Sequence, residues 1–163
     1  MDLRSAWPYI ELVAHSRLEH NITPRHDYRF GEKIELIGVA GELAARRFLG
    51  LSEELHTHFD GGKDMISGFR KIDVKATTLT PRLKYRFLQW PQGKPVRADY
   101  VLMTAIDVLT QSATVVGYAT REEILSAPVN TSRPTPCHEI PVVKLHPAWE
   151  LVVRKVHKRH ARV

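Results

Sequence analysis

Lys71-Ile72-Asp73-Val74-Lys75-Ala76-Thr77 decides how this chain is read. Apolar residues alternate with polar or charged ones, the period of a β-strand, whose side chains point to opposite faces in turn. Ile72, Val74 and Ala76 then face a core, while Asp73, Lys75 and Thr77 stand side by side on the other face. A carboxylate and an ammonium on such a strand are costly unless they face a cleft, a metal or each other. The pattern points to a metal-dependent phosphodiesterase site, against the plainer alternative of a surface ion pair on a half-exposed strand.

Working outward, Asp64 to Ser67 and Arg70 to Thr78 read as two arms of a hairpin around Gly68. Asp64 then comes close to Asp73. Asp60, in the turn Asp60-Gly61-Gly62-Lys63, competes for the same role, but the separation of Asp64 from Asp73 suits a tight hairpin better. Further upstream, Glu32 to Leu49 has the period of a helix, with Ile34, Ile37, Ala40, Leu43, Ala44 and Phe48 at apolar positions and Gly50 as its stop. Gly38 and Gly41 lie inside it, each costing about 1 kcal/mol relative to alanine. Close approach of the backbone to the sheet explains both. Glu42 beside that contact projects toward the sheet edge, although taken alone it would read as an exposed helix glutamate. Carboxylates that converge repel one another unless a cation holds them. Hard oxygen ligands with room for water suit Mg2+ or Mn2+. Lys75 would orient the attacking water or stabilise the charge that develops on phosphorus.

The flanks complete the order of elements. Ser5 to Glu19 reads as a first helix and His20 to Gly31 as a loop, so residues 1–31 form an N-terminal helix and loop. Leu55 to Phe59 and Arg82 to Leu88 read as strands, Trp90 to Pro95 as loop, and Asp99 to Asp107 as an apolar strand pairing with Ser112 to Ala119. Thr120-Arg121-Glu122-Glu123 is a capping box that starts a short helix ending near Leu125. Val129 to Cys137 is a Pro-rich irregular connection, Ile140 to Leu145 a late strand and Pro147 to Val156 a closing helix. Helix, strands, helix, strand, helix indicates a single mixed α/β domain over residues 1–163.

Gly38-x-x-Gly41-Glu42, then Asp64 near a glycine turn, then Ile72-Asp73-Val74-Lys75, resembles the PD-(D/E)xK nuclease superfamily, above all its small phage-borne or mobile-element members. The likeness runs from about Glu35 to Glu123 and takes Asp99 to Leu102 as a central strand. It implies a restriction-endonuclease-like core, a central mixed sheet flanked by helices. It implies Glu42, Asp64, Asp73 and Lys75 as catalytic residues, with Asp64, Asp73 and Glu42 holding Mg2+ or Mn2+. It implies hydrolysis of DNA phosphodiester bonds, RNA remaining open as a substrate. Cutting both strands of a duplex would favour a homodimer. The chain departs from the pattern in having Lys63, not proline, before Asp64.

Composition agrees with a polyanionic partner without singling one out. The net charge is +6 and the pI about 9.6. Residues 153–163 carry Arg154, Lys155, Lys158, Arg159 and Arg162 and no acid, so this basic tail reads equally as a solvated end or as a phosphate-contacting arm. Thr77, Arg82, Lys84, Arg86, Lys155, Lys158 and Arg159 are the candidate nucleic-acid contacts, with Trp90 available for base stacking. His56-x-His58 lacks further ligands at zinc spacing, and there is no phosphate-binding G-x-x-x-x-G-K-[ST] loop. No run of eighteen apolar residues suggests a membrane span. The start Met1-Asp2-Leu3-Arg4-Ser5 does not have the layout of a signal peptide, and the lone Cys137 fits a reducing cytoplasm. The rival function is a catalytically inactive nucleic-acid-binding or interaction protein on the same fold.

Overall fold

The structure, a computed structural model, describes residues 1–20, 28–56, 64–78 and 87–152. Asp60, His58, Arg82, Lys84, Arg86, Lys155, Lys158 and Arg159 lie outside those residues, as does the basic tail; of the two strands expected there, Leu55 and His56 are irregular and Phe87 and Leu88 do open a strand.

The chain is mixed α/β. Helix α1 (Trp7–His20) follows a short 3-10 turn at Arg4–Ala6, and α2 spans Tyr28–Phe48. Strands β1 (Met65–Ser67) and β2 (Arg70–Thr78) form the expected hairpin, with Gly68 at φ +66 turning the chain between them. After β3 (Phe87–Pro91) come β4 (Tyr100–Asp107) and β5 (Ser112–Thr120), also an antiparallel pair. Helix α3 (Arg121–Ser126) starts at the expected capping box, Thr120 accepting from Glu123 N and the Glu123 side chain accepting from Thr120 N. Strands β6 (Val129–Asn130) and β7 (Cys137–Pro141) follow.

A four-stranded sheet in the order β1-β2-β4-β5 is mixed, because β2 and β4 run parallel while the outer pairs are antiparallel. A second, antiparallel sheet has the order β3-β7-β6. The first sheet is central in that α2 covers one face and the second sheet covers the other. Leu102 points to the α2 side, with Ile72, Val74, Ala45 and Leu49, whereas Val101 and Met103 point the other way to Leu88, Trp90 and Ile140. Strand β4, dry on both faces, therefore needs the almost unbroken apolar run Tyr100 to Ile106. The covering layer on that second face is a small sheet plus Ile124 of α3, so helices alone do not flank the centre.

Several local expectations are corrected. The loop expected over His20 to Gly31 is shorter than that, because α1 runs through His20 and α2 already begins at Tyr28. Trp90 and Pro91 belong to β3, because their backbone pairs with β7. The segment from Ile140 onward pairs only as far as Pro141, then tightens into a 3-10 turn at Val142–Lys144. The Pro-rich connection still yields two strand residues, Val129 and Asn130, by pairing with His138 and Cys137. Leu12 and Ile34 fit helical spacing yet are 67% and 54% exposed, since α1 and α2 bury narrower faces than the apolar pattern allows.

Gly41 is where α2 meets the sheet. A Cβ there would stand 2.6 Å from Ala76 Cβ and 2.6 Å from Thr104 Oγ1, so only glycine permits this approach. Gly38 does not share the role, for a Cβ there would meet nothing within 4 Å. Glu42, next to Gly41, is thereby held against the sheet and is buried at 8% exposure.

Candidate active site

Three carboxylates reach one region from three elements. Glu42 comes from α2. Asp73 comes from β2 and is buried. Asp64 stands just before β1, and the register that pairs Met65 with Ile72 sets Asp64 opposite Asp73. Asp64 N donates to Ile72 O at 3.1 Å, and its Oδ2 accepts from Val74 N at 2.5 Å. The Asp64 side chain thus takes the place of a strand backbone at the end of the hairpin. Its carboxyl is pushed up to about 8 by burial first, then by the negative charges of Glu42 and Asp73, against the opposing pull of the Val74 N–H and of Lys75. The Glu35 carboxyl, two turns before Glu42, is also raised, by burial foremost, with Arg17 opposing and Glu42 adding.

Neighbouring cations meet part of this charge. Lys75 donates to Asp73 Oδ2, in the side-by-side arrangement that strand alternation imposes two residues apart. Arg17 forms a two-pronged pair with Glu42, Nη1 to Oε1 at 2.6 Å and Nη2 to Oε2 at 2.7 Å, and its Nε donates to His56 O at 2.8 Å. Both side chains are nearly buried, at 13% and 11% exposure. Burial favours the neutral form of Arg17, but its bond to Glu42 and the charges of Glu42, Glu35 and Asp64 outweigh that and raise its pKa. Arg46, one helical turn beyond Glu42, donates to Asp64 O at 3.0 Å and to Ser52 O at 3.2 Å, and so braces the backbone that carries Asp64.

Arg17 and Arg46 were not singled out from the sequence. A signal for Arg17 existed: it continues the buried stripe Trp7, Ile10, Ala14 of α1 at helical spacing, where a cation demands a partner. Arg46 carried the same signal on the Gly41 side of α2.

Thr77 is half-buried on β2, paired in register with Ala105. Trp90 is 2% exposed and packs among Leu88, Val101 and Met103, which removes it as a base-stacking surface. Its ring instead lies under Lys75 Nζ, 4.7 Å from the centroid.

Among the described residues, no three His, Cys, Asp or Glu side chains stand close enough together to hold a metal ion. The donor chemistry nevertheless suits a hard divalent cation: three convergent carboxylates, one of which keeps its proton near neutrality under the field of the other two. Asp64, Asp73 and Glu42 are the residues that could hold one. No helix among the described residues is long and apolar enough to cross a membrane. No family model, curated protein or solved structure matches the chain.

Proposed function

We propose that this chain is a Mg2+- or Mn2+-dependent nuclease that hydrolyses DNA phosphodiester bonds, with Glu42, Asp64, Asp73 and Lys75 as its catalytic residues. One observation carries the reading: Glu42, Asp64 and Asp73 converge from a helix, a hairpin arm and a strand beside Lys75, close enough that Asp64 is pushed up to about 8. A fold that needed only a structural ion pair has no use for the second and third carboxylate. A divalent cation on these carboxylates would polarise the phosphate and lower the pKa of a bound water. Asp64 and Asp73 would hold that ion, with Glu42 completing the set from the helix side. The Lys75 ammonium, oriented by Asp73 and the Trp90 ring, donates to a phosphate oxygen or to the attacking water. Arg17 fixes the Glu42 carboxylate, and Arg46 fixes the Asp64 main chain. Thr77 lies two residues beyond Lys75 on the same strand face and serves the phosphate backbone. A cytoplasmic location, and a homodimer for cutting both strands, belong to this proposal.

The test is a panel of single-stranded, duplex, nicked and branched DNA, with an RNA arm, incubated with Mn2+. Asp73→Ala or Lys75→Ala lowers cleavage by about 10²–10³-fold or more, the scale of losing one transition-state charge contact, while DNA binding survives. Cleavage undiminished in either variant sinks the assignment.

The second reading is a nucleic-acid binder that does not cut. The observation favouring it is that Arg17 and Lys75 already neutralise Glu42 and Asp73. Calorimetry separates the two: a Mn2+ site that Asp64→Asn removes supports the nuclease, and no Mn2+ heat with the wild-type chain supports the binder.

A further inference from the structure

Lys75 shares its aromatic support with a second lysine. Trp90 sits on β3 of the second sheet, across from the β2 face that carries Asp73 and Lys75. Lys75 Nζ is 4.7 Å from the Trp90 ring centroid and Lys94 Nζ is 5.3 Å from the same centroid. Both separations fall in the range where an ammonium is attracted to the face of an indole.

The local sequence explains why Lys94 returns to Trp90. Pro91-Gln92-Gly93-Lys94 forms a tight turn, closed by Lys94 N donating to Pro91 O at 3.2 Å, with Gly93 at φ +81. The chain folds back so that Trp90 Nε1 donates to Lys94 O at 2.9 Å. The residue that caps the indole nitrogen also lays its side chain over the ring.

The two lysines differ in what offsets their charge. Lys75 has Asp73. Lys94 is exposed and, among the described residues, has no acidic partner. Two ammoniums drawn to one ring bring more positive charge there than Asp73 alone offsets, which suits the place to an anion. We propose that Lys75 and Lys94, set over Trp90, form a two-cation clamp for the phosphates of the substrate strand: Lys75 meets the scissile phosphate and Lys94 a neighbouring one. The inference rests on the nuclease reading and extends it to a residue on the second sheet.

The test uses the full-length chain and a short fluorescein-labelled DNA duplex. Binding is titrated in EDTA across roughly 50 to 200 mM salt, and cleavage is followed separately with Mn2+. Lys94→Ala shallows the slope of log binding constant against log salt by about 0.9, the value for one lost phosphate contact on duplex DNA. In cleavage it raises KM several-fold and leaves kcat within about twofold, because a neighbouring phosphate is held alike in ground and transition states. Lys94→Arg, whose guanidinium also stacks on indole, restores the slope. Trp90→Leu shallows the slope as Lys94→Ala does and also lowers kcat through Lys75, whereas Trp90→Phe keeps most of both. Because Trp90→Leu removes core packing, Lys94→Ala and Lys94→Arg carry the decision. An unchanged salt slope in Lys94→Ala, with wild-type cleavage present, overturns the clamp and leaves the nuclease reading standing. A wild-type chain that binds DNA but never cuts it, with Lys94→Ala shallowing the slope, overturns the nuclease reading and keeps Lys94 as a phosphate contact. A wild-type chain that does not bind DNA removes both.

Discussion

Two buried carboxylates, one on each side of the molecule, meet opposite fates. Glu139 of β7 is 8% exposed and accepts from Gln89 Nε2 at 2.8 Å, Arg133 Nε at 2.7 Å and Asn130 Nδ2 at 3.1 Å. Burial alone would raise its pKa, but Asn130, Arg133 and Gln89 bring it below the ordinary glutamate value. Asp64 has one backbone N–H and lies in the field of Glu42 and Asp73, and its carboxyl is pushed up to about 8. Glu139 has every donor a buried carboxylate needs and ties the second sheet together. Asp64 is short of positive charge, and the proposed function rests on that shortage.

The widest gap between the two sites should appear in pH dependence. The native Asp64 carboxyl holds its proton to about pH 8, whereas an unperturbed one releases it near 3.8. The native state therefore binds more protons across that window, and stability falls as pH rises through it. Melting curves in EDTA from pH 5 to pH 8 should slope downward for the wild type and flatten for Asp64→Asn. A flat wild-type profile would place Asp64 in the same class as Glu139. Added Mn2+ should remove the slope by supplying the missing charge.

Arg17→Ala sharpens the comparison from the cation side. It strands Glu42 at 11% side-chain exposure next to two further carboxylates. Removing one partner of such a pair costs about 3 kcal/mol. Denaturant unfolding in EDTA measures the loss, and part of it should return with Mn2+. A variant as stable as the wild type would mean that Glu42 turns to solvent. Glu139→Gln is the smallest change. It keeps the oxygen that accepts from both Gln89 and Arg133 and loses the acceptor for Asn130, so it costs about 1 kcal/mol. If the chain cuts DNA as proposed, cleavage by this variant should equal wild type, and a drop would tie the second sheet's acid to the carboxylates around Asp64.

Sequence reading reached the hairpin and the central sheet because their signals are local. Alternation over Ile72 to Thr77, the glycine at 68 and the capping box at Thr120 each act within a few residues, and each lies where it was expected. It also brought Glu42, Asp64 and Asp73 into one neighbourhood, since hairpin register and helix spacing are nearly enough to do so. It failed where backbone pairing partners are distant. Trp90 reads as loop because its strand partner is His138, far along the chain. Ile34 and Leu12 read as core because spacing alone does not say how wide a helix face the neighbours cover.

By itself the sequence determined which side chains β2 turns to each face, and that a carboxylate and a lysine stand together on one of them. Backbone geometry enforces that alternation without help from the rest of the chain. Only the tertiary structure decided that Gly41, and not Gly38, carries the helix onto the sheet, that Arg17 answers Glu42, and that Trp90 lies buried under two lysines. Each of these joins elements far apart in the chain, and local propensity is silent about which distant surface a side chain will meet.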